Sequence, residues 1–262
     1  MLEFIRFEIQ YRFTRPATYI YFALILLMSF LATATDAVQA GGSGGNVMQN
    51  SPLVIAQIMS VILIFGIFIV SAVMGVPVLR DFEHKTNSMI FTTPIKKINY
   101  LGGKFIGSFL IMMFILSGIL FGTMLGQAVP WPWLDNADKL MPFNFMYYWN
   151  PFIVIILPTV LMFSLILFAG GALGKRMTVV YAQSIILFMG YLVAVTFISD
   201  LDNQQLGAML DPFGLGALSV YTQYWTVSEQ NNNLIPFSGI ILQSRLMWLG
   251  IALVVIVFTY FK

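Results

Sequence analysis

The chain has 262 residues, of which 59% are hydrophobic and 9% charged, against about 25% charged in an average soluble domain, so a soluble globular fold is excluded. The net charge of +2 is too small to suggest nucleic-acid binding, and the absence of cysteine rules out disulfides, thiolate metal sites and cysteine nucleophiles. The composition is that of an integral membrane protein, and the informative features are where its few charges fall.

At the N-terminus, Leu2, Ile5, Ile9 and Phe13 form one apolar stripe at helical spacing and Phe4, Phe7 and Tyr11 a second, with charges between them. Two such stripes predict an interfacial helix over residues 1–16, one side toward lipid and one toward neighbouring helices. Arg15-Pro16 marks the turn into the first span. Residues 17–31 followed by Ala32-Thr33-Ala34 also resemble a cleavable signal, but Glu3 and Glu8 in the preceding segment argue against cleavage.

Six apolar runs, near 17–35, 53–79, 105–129, 151–174, 177–199 and 246–261, carry no charge between their first and last few residues. Each approaches the roughly 20 residues needed to cross a hydrocarbon core of about 30 Å. They lack the alternation of barrel strands, so the predicted fold is all-α with six transmembrane helices over residues 17–262. With a cytoplasmic N-terminus, Arg6, Arg12, Arg15, Arg80, Lys85, Lys96, Lys97, Lys104, Lys175, Arg176 and Lys262 lie inside, leaving Lys139 and Arg245 outside. That asymmetry is a strong positive-inside signal.

Between the first two runs, GGSGG at 41–45 reads as a flexible external connector, with no phosphate-loop lysine behind it. Between the second and third lies the most polar stretch, RDFEHKTNSMIFTTPIKK at 80–97, which contains the chain's only histidine, His84. Asp81 can cap a short amphipathic helix to about Phe91, with Phe82, Met89 and Ile90 as apolar contacts and a stop before Pro94. Rigidly joined to two spans, such a helix can pass a push between a soluble partner and the membrane; a merely solvated basic loop is the simpler alternative.

The third run carries Gly118, Gly122 and Gly126 on one face, with Gly103 and Gly107 at its start. This ladder permits close helix contact, either within the chain or at a subunit interface. WPW at 131–133 with Tyr147, Tyr148 and Trp149 suits interfacial anchoring. Asn150-Pro151 reads as an N-cap and first-turn proline, and Pro158 as a kink. GALGK at 171–175 fails the phosphate-loop pattern twice, at Ala169 and at Arg176. In the longest external segment, 200–243, Asp211-Pro212 is placed to open a short helix, and Asp200, Asp202 and Asp211 read as loop-solvated acids rather than metal ligands.

Enzyme chemistry lacks its parts. One histidine cannot make an H-E-x-x-H zinc site, and no acid within a span means no intramembrane aspartyl dyad. Ion coupling through ionisable groups in the membrane is equally unsupported, so energy for any transport enters from outside the bilayer.

At residues 80–108 the sequence resembles the ABC type-2 permeases, in which a charged helix and a Thr-Pro-hydrophobic-basic turn join the second and third spans. RFTRPATYIYF, NSPLVIAQ, RDFEHKT, LDPFGLGAL and YTQYWTV are similar to one branch, the permease halves of bacterial ABC permease and aminopeptidase N-like fusion proteins. The chain departs from that branch by carrying no peptidase motif and no further spans up to Lys262. The resemblance implies a permease of an ATP-driven exporter in a bacterial inner membrane, paired with a second half, identical or different, and with ABC ATPase subunits that hold ATP and Mg. It implies no cofactor in this chain. By position, the first helix becomes an elbow helix, and Asp81, Phe82, Glu83, His84, Lys85, Thr86 and Asn87, with Thr93 and Pro94 in the turn, become the ATPase-coupling residues. A non-transporting membrane scaffold and a channel are the competing readings.

Overall fold

A computed structural model describes residues 1–35, 46–83, 92, 95–128, 140–200 and 202–261. The described residues form helices joined by turns, with no strand among them: α1 (Leu2–Phe13), α2 (Pro16–Ala34), α3 (Pro52–Met74), α4 (Val76–Glu83), α5 (Lys97–Gln127), α6 (Phe145–Pro151), α7 (Leu157–Gly174), α8 (Met177–Ile198), α9 (Gln204–Leu210), α10 (Leu215–Thr222), α11 (Val227–Asn232) and α12 (Gly239–Phe261). Local sequence sets several starts. Pro16 and Pro52 occupy first turns, where their missing N–H costs nothing, and Ser51 Oγ accepts from Val54 N at 3.4 Å.

Six helical segments are long and apolar enough to cross a membrane: Pro16–Ala34, Pro52–Glu83, Lys97–Gln127, Phe145–Gly174, Met177–Ile198 and Gly239–Phe261. Two of them, the third and the sixth, start well before the charge-free runs, because a charge within each finds partners inside the protein. Lys104 lies two turns into α5 and Arg245 nearly two turns into α12, and each is only 1% exposed. Arg245 therefore lies inside the last span rather than ahead of it. The fourth span begins at Phe145, with Asn144 rather than Asn150 as its cap: Asn144 Oδ1 accepts from Met146 N at 3.0 Å. Asn150 instead clamps a distant loop, donating to Ile235 O at 3.0 Å and accepting from Ile235 N at 2.8 Å. Between Pro151 and Pro158 the backbone widens into a π turn, Phe152–Ile156, a geometry that removes the usual i→i−4 register where proline cannot satisfy it.

The core is built around α3. Ile55, Met59, Leu63, Ile67, Val70 and Met74 are fully buried, and Ile111, Met112, Ile115 and Ile119 of α5 and Met162, Phe163 and Leu167 of α7 close over them. By contrast α2, α8 and α12 leave most of their surface uncovered.

The small-residue face of α5 meets α1 and α2 of the same chain. A Cβ at Gly118 would lie 3.0 Å from Phe22 O, one at Gly122 would lie 2.6 Å from Ser29 Cβ, and one at Gly126 would lie 2.9 Å from Phe30 O. Further along, Gly103 meets Phe4 Cβ and Gly107 meets Glu8 Cβ, each at 2.7 Å. Backbone cannot rotate aside as a side chain can, so Gly122→Leu is expected to lower the thermal unfolding midpoint in detergent, at a cost of about 1–3 kcal/mol or more. An unchanged midpoint would show that α2 is free to move off α5.

Candidate functional site

Because Gly103 and Gly107 let α1 lie directly on α5, Glu8 reaches the interior, where its side chain is 0% exposed. Arg80 Nη2, from the last turns of α4, donates to Glu8 Oε1 at 2.5 Å. Lys104 Nζ of α5 stands 3.8 Å from the same oxygen. Lys104 also donates to Asp81 Oδ2 and, at 2.7 Å, to Pro77 O, while Tyr100 OH donates to Asp81 Oδ2 at 2.7 Å. Arg12, one turn along α1 from Glu8, donates to Val73 O at 2.7 Å. Two carboxylates thus face three cations where α1, α4 and α5 converge.

Aromatic rings complete the cluster. The Arg80 guanidinium lies 4.1 Å from the Tyr11 ring centroid, and Phe4 meets Tyr100 edge-on at 5.6 Å. Burial pulls the Arg12 guanidinium below its ordinary value, with the Glu8 charge opposing. The hydrogen bonding is incomplete: Arg12 Nε and Glu8 Oε2 are 3.8 Å apart, too far for a hydrogen bond, and Arg80 Nη1 has no hydrogen-bond partner among the described residues.

The residues singled out at 80–97 divide. Asp81 is 6% exposed and turned inward to Lys104 and Tyr100, so its carboxylate belongs to this cluster rather than to a solvated helix cap. The physical reason is that α4 runs on from the second span and carries Arg80 and Asp81 against α1 and α5 before it reaches water. Phe82 is partly buried against the core, and Lys175 Nζ lies 4.8 Å from its ring centroid. Glu83 is exposed. His84, Lys85, Thr86, Asn87, Thr93 and Pro94 lie outside the described residues, as does the expected helix beyond Glu83. Lys175, exposed and left-handed at φ 48°, ends α7, so the 175–176 turn sits beside the start of the 80–97 segment. Gly171 serves close packing here: a Cβ on it would be 2.8 Å from Gly75 O.

Arg15, Lys96, Lys97, Lys175 and Arg176 are exposed at the ends or junctions of spans on this same side, and Arg6 is exposed on α1. At the opposite end, among the described residues, no exposed Lys or Arg occurs. There the connectors hold one another: Asn50 Nδ2 donates to Met141 O at 2.7 Å, and Asn231 Oδ1 accepts from Met48 N at 2.8 Å.

A second buried ionic group lies at that far end. Asp211 follows α9 and is fully buried, so it is not a loop-solvated acid; its carboxylate accepts from Phe213 N at 2.7 Å and Gly216 N at 2.6 Å, holding the turn into α10. Arg245 donates to Thr159 Oγ1 at 2.7 Å, Asp211 O at 3.0 Å and Pro212 O at 3.1 Å. Gly214, at φ +87°, sits against that guanidinium, where a Cβ would be 3.0 Å from Cζ. Burial pushes the Asp211 carboxyl up, while the Gly216 N–H and the Arg245 charge oppose the shift. Among the described residues no group of three or more His, Asp or Glu side chains is placed to hold a metal ion.

Neither ionic group was read from the sequence. The signal for the first was Glu8 with Arg12 one turn on, between two apolar stripes; for the second it was a lone arginine ahead of the last apolar run.

An all-helical bundle with six apolar spans, basic at one end, defines a multi-pass membrane protein. The sequence profile of the family described as "ABC-2 family transporter protein" matches residues 45–261, and the chain belongs to that family. It is a transport permease of the membrane-domain type, the component of such transporters that is not itself catalytic. No curated protein and no solved structure matched the chain.

Proposed function

We propose that this chain is the membrane-spanning half of an ATP-driven exporter, and that ABC ATPase subunits holding ATP and Mg dock against residues 80–97 and 175–176. A second permease half, identical or different, completes the pore-forming pair. The side bearing these segments is cytoplasmic, in a bacterial inner membrane, and α1 is the elbow helix.

The ionic cluster is the observation that carries this reading. Arg80 and Asp81 open the docking segment, and they bind α1 through Glu8 and α5 through Lys104 and Tyr100. A displacement of the segment by a partner is therefore delivered at once to the N-terminal helix and to the second and third spans. The contact of Lys175 with Phe82 draws the fourth and fifth spans into the same movement. Family membership supports the partner, since ABC-2 permeases normally work with ABC ATPases.

Replacing Phe82 and Glu83 by Ala is expected to leave membrane insertion intact and to weaken ATPase binding about tenfold or more, the usual weight of a buried aromatic anchor with a charged rim. Glu83→Ala alone, at an exposed position, should shift the on-rate and its salt dependence more than stability. Co-purification and hydrolysis in reconstituted vesicles read both. A double variant that inserts, binds the ATPase with unchanged affinity and transports at the wild-type rate overturns the proposal.

A further inference from the structure

At the basic end of the bundle, α5, α7 and α12 do not close on one another. Between them lies an open groove of about 460 Å³, within the roughly 300–1,000 Å³ of small-molecule sites. Leu101 and Phe105 of α5, Leu165 and Phe168 of α7, and Ile256 and Val257 of α12 form its walls. From Ile98 to Phe105 the groove descends about 10 Å along α5, at about 1.5 Å per residue. That is less than half of a hydrocarbon core of about 30 Å, so the groove belongs to a single leaflet.

Its mouth is charged. Lys97, exposed at the first turn of α5, donates to Tyr260 O at 2.5 Å and lies 5.5 Å from the Tyr260 ring centroid. An ammonium has three donors, and this contact uses one. The lysine stem covers apolar surface while its charge stands at headgroup height. The neighbouring Lys96 lines an adjoining hollow together with Glu3, whereas Lys97 reaches the groove through Tyr260, one of its lining residues.

We propose that this groove holds one acyl chain of an anionic glycerophospholipid from the leaflet on the side of residues 80–97, with the Lys97 ammonium on the headgroup phosphate. Apolar walls accept any chain. The net negative charge selects the headgroup, because a zwitterionic lipid offsets the lysine with its own cation. A bound lipid would bridge α12 to α5 beside the contact of Lys97 with Tyr260. The inference rests on the membrane-spanning helices and is independent of the ATPase partner.

The test uses the full chain, purified in detergent, stripped of lipid and incubated with equimolar phosphatidylglycerol and phosphatidylcholine carrying identical acyl chains. Native mass spectrometry then counts single-lipid adducts. The expected preference for phosphatidylglycerol is about fivefold, the equivalent of about 1 kcal/mol for one lysine at an anionic surface. Lys97→Gln, at an exposed position, should bring the ratio to about one. Leu165→Trp, which fills the groove, should reduce adducts of both lipids while helical circular dichroism is retained. Soluble glycerol phosphate should not displace the lipid. Equal retention of both lipids by the wild type, an undiminished preference in Lys97→Gln, or displacement by glycerol phosphate overturns the proposal. So does a lipid-free dimer that Leu165→Trp dissociates, which would place a second copy of the chain in the groove.

Discussion

Glu8→Ala is expected to destabilise the folded chain by about 3–5 kcal/mol, the usual cost of breaking a buried ion pair from one side. The wild-type cluster sets Glu8 and Asp81 against Arg12, Arg80 and Lys104; without Glu8, three cations face one carboxylate in a site closed to water. Arg80, which gives Glu8 its shortest contact, would be left, among the described residues, with the faces of Tyr11 and Phe7 as nearby partners. Thermal unfolding in detergent measures the loss, and a double-mutant cycle of Glu8→Gln with Arg80→Gln isolates the pair. Arg6→Ala, two residues away and exposed, is the matched control and should change stability little. If Glu8→Ala melts with the wild type, the cluster does not hold α1 to the bundle. If it is destabilised but still binds the ATPase with unchanged affinity, the cluster acts in assembly of the fold and not in docking.

Arg245→Ala should cost a comparable amount, at the opposite end of the molecule. The guanidinium joins α12 to Thr159 in α7 and to the carbonyls of Asp211 and Pro212, so its removal orphans three acceptors and leaves the buried Asp211 carboxylate without its countercharge. Arg245→Lys should recover only part of the loss, because a single ammonium cannot reproduce the planar fork that reaches Thr159 and the turn together. Unfolding in detergent and limited proteolysis between residues 199 and 238 report the effect, since α9 and α10 are anchored through this turn. Wild-type melting and wild-type protease resistance in Arg245→Ala would show that Asp211, through Phe213 N and Gly216 N, holds the turn unaided.

Much of the architecture was legible because the bilayer imposes one-dimensional rules. Apolar runs of about 20 residues must be helices, since nothing in hydrocarbon satisfies an open backbone. All six runs are helices of sufficient length, and among the described residues the exposed basic side chains gather at one end. The limits of the spans were harder to read. A charge set the edge of several runs in the sequence, whereas Lys104 and Arg245 lie inside helices that continue past them. Asn150-Pro151 resembled a helix start, yet Asn144 takes the cap and a π turn absorbs the proline, because Asn150 is already committed to Ile235.

The sequence by itself determined the class of molecule, the number of spans, the basic side and the small-residue face of α5, since each follows from composition or from spacing along one helix. Only the tertiary structure decided which charges leave water. Glu8 meets Arg80 across 72 residues, Lys104 meets Asp81 across 23, and Arg245 meets Thr159 across 86. A buried charge is tolerated only when its partner arrives from another element, and no periodicity within either segment records that arrival.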